Sequence, residues 1–175
     1  MKKILVINCG SSSLKFQLYN VNGSNYEVIS KGIAERIGQE NSVIKIQYGD
    51  APKTEHMLPL PTHSEAIRGV FKLLLQGALN NMDELSAVGH RVVQGGDIFT
   101  RSVIINEDVI QKIIELSDLA PLHNPAHVLG IRAIQEVLPN IPQVAVFDTS
   151  FHQTMLPEAY LYALPEDQYK EHLSG

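Results

Sequence analysis

Three short tracts carry side chains suited to handling an anion. The first is Asn8-Cys9-Gly10-Ser11-Ser12-Ser13-Leu14-Lys15. Three hydroxyls and several backbone N–H groups share one small turn there, and Lys15 adds a positive charge just beyond it. Such a turn can cradle a phosphate or a carboxylate. It is not a Walker-type phosphate loop, which needs a second glycine, a Lys-Ser/Thr pair and a following helix. Only Gly10 is present, and the residues after it alternate as a strand does. An ordinary Ser-rich hairpin turn has the same composition. The second tract is His90-Arg91-Val92-Val93-Gln94-Gly95-Gly96. An arginine late in an apolar strand is costly unless an anion meets it, and a guanidinium grips carboxylate or phosphate with two parallel hydrogen bonds. An ion pair with Asp97 or Asp148 would also satisfy it. The third is Asp148, directly after the apolar run 144–147. A carboxylate there suits Mg²⁺, which takes one or two carboxylates plus phosphate and water. It would serve equally as a turn or helix-capping residue.

The elements that must position these tracts are legible from periodicity. Residues 4–7 form a continuous apolar run, read as a buried strand, and 8–10 turn the chain. Leu14, Phe16 and Leu18 then alternate with Lys15, Gln17 and Tyr19, a second strand. Asn22-Gly23 signals a hairpin turn, and 26–33 is a third strand. Residues 42–48 alternate, 49–53 turn, and 56–60 suggest another strand; the region 38–60 reads as a small insertion on the basic fold. Thr62 begins a helix with Ala66, Ile67, Val70, Phe71, Leu74 and Ala78 on its apolar face. Residues 85–93 make the next strand, 94–97 a loop, and 107–118 a helix with Ile110, Ile113 and Ile114 inward. Residues 119–124 connect to a helix from Pro125 to about 138. The run 144–147 reads as a central parallel strand. The order is β-β-β, an insertion, then α-β-α-α-β. It predicts an α/β domain: a mixed sheet whose first three strands are antiparallel, with helices on its faces. Sites in open sheets of this kind form at the carboxyl ends of strands, where Asn8, Arg91 and Asp148 all fall.

Composition narrows the function classes. A chain of 175 residues with 44% apolar content fits one globular domain. A net charge of −5 gives no general attraction to nucleic acid, so an anionic ligand must be held by local cations. The lone cysteine, Cys9, permits no internal disulfide, and a reducing, cytoplasmic setting fits. Cys9 itself reads as a small packing residue rather than a nucleophile. The N-terminus lacks a signal-peptide core, and no run approaches the ~20 apolar residues of a membrane span. The sequon at Asn22 is discounted for want of a secretory signal. His123 and His127 have the i, i+4 spacing of a metal pair, but Pro125 lies between them and no third ligand is evident.

Taken together, the tracts resemble the acetate kinase family, the acetate, propionate and butyrate kinases of the actin-like ATPase superfamily. Four segments carry the resemblance: 8–16, 90–96, 121–125 and 147–152. It implies a ribonuclease H-like domain and reversible, ATP-dependent phosphorylation of acetate to acetyl phosphate, with Mg²⁺ or Mn²⁺ as cofactor and a homodimeric full-length enzyme. Propionate or butyrate as acceptor, and a non-catalytic actin-like nucleotide- or partner-binding module, are the alternatives. Carried over by motif, Arg91 contacts the carboxylate and the phosphoryl group in flight, and Asp148 belongs to the catalytic and metal site with Asn8. Asn8, Ser11, Ser12, Ser13 and Lys15 contact phosphate. Val93 and Leu122 line an apolar pocket for the substrate methyl, with His123 beside it. Gln94 departs from the usual histidine and cannot titrate. The resemblance further implies that 1–175 is an N-terminal domain without its C-terminal nucleotide-binding partner, expected to be inactive alone.

Overall fold

A computed structural model describes residues 2–93, 101–115 and 124–148, apart from the side chains of Val93, Arg101, Asn124 and Asp148. Strands β1 (Lys2–Cys9), β2 (Ser13–Asn22), β3 (Asn25–Glu35), β4 (Val43–Tyr48) and β5 (Thr54–Met57) form an antiparallel meander. Strands β6 (Leu85–Val93), β7 (Arg101–Ile104) and β8 (Gln143–Asp148) extend the same sheet on the other side of β1. The spatial order is β5-β4-β3-β2-β1-β6-β8-β7. β1, β6 and β8 run parallel to one another, and β7 returns antiparallel at the edge. Parallel neighbours need long crossovers. Here α1 (His63–Gly77) precedes β6, while α2 (Glu107–Glu115) and α3 (Asn124–Val137) precede β8.

The mixed α/β architecture and its three antiparallel leading strands match the expectation. The details differ in instructive ways. β1 runs through Cys9, so Asn8 is a strand residue and the turn is 10–13. The stretch expected to be an insertion adds β4 and β5 to the main sheet, and β5 begins at Thr54 rather than 56. β7 is an additional strand, although Val103-Ile104-Ile105 is a β-branched run that could have signalled it. β8 is next to the edge, not central. Ile114 is solvent-exposed, while Ile110 and Ile113 are buried as expected. α3 starts at Asn124, one residue early.

All three described helices lie against one face of the sheet, the back. That face carries Leu5, Ile7, Cys9, Leu14, Phe16, Leu18 and Val88, packed with Ile67, Val70 and Leu74 of α1 and Ile134 of α3. Val92, Ala145 and Phe147 continue it under Ile110, Ile113 and Ile131. Each fully buried Leu, Ile or Phe contributes ~1.5–3 kcal/mol by leaving water. The front face holds a smaller buried cluster of Ile4, Val6, Val21, Ala87, Val144 and Val146. β6 carries a bulge that governs which residues share that face. Lys3 is opposite Leu85, yet Ile4 is opposite Ala87, so Ser86 is the extra residue. Leu85 and Val88 both face the back, three positions apart, and Ala87 faces the front. Strict alternation cannot achieve this; one inserted residue does.

α3 crosses β1 closely at Gly130. A Cβ there would lie 2.5 Å from Cys9 Sγ and 3.3 Å from Cys9 Cβ. Gly130→Ala is expected to destabilise the fold by about 1–3 kcal/mol, despite alanine's better helix propensity, because the clash outweighs it. Adding Cys9→Ala should recover part of the loss. Chemical denaturation of both single variants and the double variant measures this coupling.

Candidate active site

The parallel ladder brings the chemistry-bearing tracts together. The β1–β6 register ends at Ile7 opposite His90, so Asn8 and Arg91 are the next positions along two adjacent strands. β8 adds the third: Arg91 pairs with Val146, and the backbone of Asp148 is opposite Val93. On the other side of β1, Asn8 pairs with Lys15. Cross-strand partners share a face of the sheet, so Asn8, Lys15 and Arg91 are expected on one side. They do line a single front-face cleft of about 320 Å³, together with Val6, Gln17, Lys31, Ile33 and Lys53. The spatial convergence expected from sequence is therefore present for Asn8, Lys15 and Arg91, whereas Ser11, Ser12 and Ser13 are not among the residues lining the cleft; the third tract reaches the same strand ends through its backbone. Leu122, His123 and Gln94 lie outside the described residues, as does the side chain of Val93.

The serine turn is held from behind. Gly10 N–H donates to Ser13 O at 2.9 Å and closes the turn. Ile37 N–H donates to Ser12 O at 2.9 Å, tying the turn to the end of β3. His63, the first residue of α1, donates from Nε2 to Gly10 O at 2.9 Å. Thr62 caps that helix by accepting from Glu65 N–H at 3.2 Å. Ser11 is exposed, and Ser12 and Ser13 are half-buried. The carbonyls of Gly10, Ser12 and Ser13 are thus occupied by the scaffold.

Arg91 is half-buried on the front, and His90 is fully buried behind it. His90 Nε2 donates to Gln143 Oε1 at 2.6 Å, and Gln143 Nε2 donates to Ile131 O at 3.4 Å. This chain links β6, β8 and α3. Burial pushes the imidazole down to about 4 from 6.5, against a smaller opposing effect of the Gln143 bond. Burial likewise pushes the Cys9 thiol up to about 12, so it is inert at neutral pH and packs rather than reacts. Tyr19 packs against the front-face cluster, in phase with Lys15 and Gln17 on β2. Its phenol is raised chiefly by burial and by Tyr26, while Arg91 acts in the opposite direction. The Tyr19 hydroxyl donates to Gln17 Oε1.

Three polar cleft residues are absent from the set expected on sequence grounds: Gln17, Lys31 and Lys53. The signal for Gln17 was available, since it alternates in phase with Lys15. Lys31 and Lys53 depend on strand pairing. Of the spaced histidine pair, His127 is buried within α3 and His123 lies outside the described residues.

Comparisons with known proteins agree with this arrangement. The model of the acetokinase family matches residues 3–174. The chain is 51% identical over 173 residues to an acetate kinase of Dictyoglomus turgidum, covering 97% of this chain and 42% of that protein. Among solved structures, Porphyromonas gingivalis acetate kinase superposes with a TM-score of 0.79 at 41% identity, over 98% of this chain and 43% of that one. A propionate kinase from Francisella tularensis superposes with a TM-score of 0.74 at 40% identity, over 99% of this chain and 44% of that one. The chain therefore spans less than half the length of the relatives it matches.

The buried histidine sets a pH dependence. Its folded pKa is depressed, so below about 6.5 the unfolded chain takes up a proton that the folded chain refuses. Stability is expected to fall as pH drops from 6.5 toward 4, by up to about 1.4 kcal/mol per pH unit from this group. His90→Gln should flatten that part of the profile, as denaturation midpoints measured across this range would reveal.

Proposed function

The chain belongs to the acetokinase family, and from that membership we propose that the protein it comes from is an acetate kinase transferring a phosphoryl group reversibly between ATP and acetate. The observation that carries this reading is the convergence of Asn8, Lys15 and Arg91 on one cleft with no Asp or Glu among its described lining residues. The family's fold is the actin-like ATPase fold, seen here as the eight-stranded mixed sheet. The chain corresponds to the N-terminal domain, and the nucleotide-binding half is expected from the remainder of the full-length protein. A homodimer and a cytoplasmic setting go with the same reading. No described helix is long and apolar enough to cross a membrane.

The chemistry asks for charge neutralisation rather than proton removal. A carboxylic acid has a pKa near ~4, so the acceptor is already an anionic nucleophile at neutral pH. Two anions must then be brought together, and the transferring group must be held in line with its acceptor. Arg91 is suited to both demands, because its planar fork engages carboxylate and phosphoryl oxygens and the sheet fixes its strand beside Asn8. Lys15 and the hydroxyls of Ser11, Ser12 and Ser13 would hold the phosphate from the turn side. Val93 and Leu122 would supply the apolar wall for the methyl group, with His123 nearby. A divalent cation such as Mg²⁺ fits the donor chemistry, because it takes few protein oxygens and completes its shell with phosphate and water. Asn8 and Asp148 would hold it, and it would neutralise charge developing on the phosphate oxygens. An apolar wall discriminates one methylene by only ~1–3 kcal/mol, so propionate is the nearest competing acceptor.

In the full-length protein, Arg91→Ala is expected to lower kcat/KM for acetate by at least about a hundredfold, with acetyl phosphate formation as the readout. Near-normal turnover in that variant would overturn the assignment. A panel of acetate, propionate and butyrate is expected to favour acetate. The 175-residue chain alone should show no turnover with Mg-ATP and acetate in a coupled assay.

A further inference from the structure

The front cleft holds more positive charge than one small anion can use. Four cations line it, Lys15, Lys31, Lys53 and Arg91, with two amides, Asn8 and Gln17. Elsewhere among the described residues, basic side chains commonly meet carboxylates. Lys3 pairs with Glu84 at 2.7 Å, Lys45 with Glu35 at 3.0 Å, Arg68 with Glu65 at 2.8 Å and Arg132 with Glu107 at 2.7 Å. Lys15, Lys31 and Lys53 form no ion pair with any described residue. In a chain of net charge −5, three lysines with no described carboxylate partner around one concavity concentrate a positive potential there.

The positions of these charges matter as much as their number. Arg91 is on β6, Asn8 on β1, Lys15 and Gln17 on β2 and Lys31 on β3, which are consecutive strands. Three interstrand steps of about 4.8 Å separate the strand of Arg91 from that of Lys31, so the backbone floor is about 14 Å across. Lys53 enters from the segment between β4 and β5, on the far side of Lys31. A carboxylate or a single phosphate held at Asn8 and Arg91 would be too short to span this floor. Gln17 lies midway, opposite Lys31 in the β2–β3 ladder. The Tyr19 hydroxyl occupies its carbonyl oxygen, which leaves its amide N–H groups to donate.

We propose that Lys31 and Lys53, with Gln17, form an outer anion subsite of this cleft that takes the distal part of a linear polyphosphate chain. The orientation rests on the proposed function, in which the Arg91 end holds the transferring group. A linear polyphosphate matches the site better than two separate small anions. Its charges are covalently spaced along the floor, and binding at one end raises the effective concentration at the other.

Titration calorimetry on the 175-residue chain, at fixed ionic strength, tests this with inorganic phosphate and inorganic tripolyphosphate. Tripolyphosphate is expected to bind at least about tenfold more tightly than phosphate. The double variant Lys31→Ala/Lys53→Ala should lose roughly tenfold in tripolyphosphate affinity, the scale of two exposed charge contacts, with phosphate affinity unchanged. The control Lys72→Ala/Lys112→Ala, away from the cleft, should change neither. The subsite is refuted if wild type shows no preference for tripolyphosphate, or if the double variant binds it as wild type does. It is also refuted if the double variant loses both anions equally. Competition by a glutamate-rich peptide as effective as tripolyphosphate would instead mark a surface for acidic polypeptide. If Arg91→Ala leaves phosphate binding intact while the lysine effect persists, the Arg91-centred reading fails and the subsite stands. The reverse pattern sinks the subsite alone.

Discussion

The parallel pairing of β1 with β6, with its single bulge at Ser86, is the constraint on which the site depends. Side chains alternate faces along a strand, so one residue more or less moves every later side chain to the other side. Leu85 and Val88 are both packed against the helices, and Ala87 faces the front with Ile4 and Val6. Counting on by twos from Ala87 reaches Arg91. Counting by twos from Leu85, without the extra residue, would put Arg91 among the apolar side chains under α3. Bulges often re-aim a side chain in this way near functional sites. The salt bridge from Lys3 to Glu84, at the entry to β6, ties the two strands together beside the irregularity.

The back face explains why the front can remain polar. Its core is apolar and continuous from β4 to β8, and its few polar groups are satisfied locally. His90, Gln143 and the Ile131 carbonyl form a closed relay between two strands and α3. His63 fastens the serine turn through Gly10. Gly130 lets α3 come close enough to β1 for Cys9 to fill the gap. Each contact is distant from the cleft by one sheet thickness, yet each fixes a strand whose front side carries Asn8, Lys15 or Arg91. Rigid strands keep the spacing of these side chains fixed, which matters wherever charged groups must meet a ligand in a set geometry.

Charge is distributed with the same asymmetry. The chain is acidic overall, yet the front cleft has no Asp or Glu among its described lining residues. Lys45, one strand beyond Lys31, shows the contrast: it is bound to Glu35 at 3.0 Å, and this bond is the first cause of its raised pKa. The neighbouring lysines that face the cleft have no such partner among the described residues. Gathering cations is unfavourable unless an anion completes them, so this arrangement does not contribute to stability by itself.

The sequence by itself determined the class of fold, the leading antiparallel strands and the apolar face of α1, and it marked Asn8, Lys15 and Arg91, which the sheet brings to one cleft. These are local properties: periodicity of two or 3.6, and residue chemistry within a few positions. It also carried the family resemblance, since motifs are linear. What it did not reveal was non-local. The pairing of β4 to β3 and of β5 to β4, which extends the main sheet, leaves no mark in their own pattern. β7 left a compositional trace in its β-branched residues, but four residues give too short a periodic signal to assign a strand. Lys31 and Lys53 become cleft residues only when β3 is laid beside β2 and the β4–β5 segment folds over it. The facing of Arg91 was decided by one bulged residue, whose energy comes from packing against helices that lie far away in the chain. Tertiary structure settled these points because they depend on which surfaces bury one another, and that is a property of the assembled sheet rather than of any segment in it.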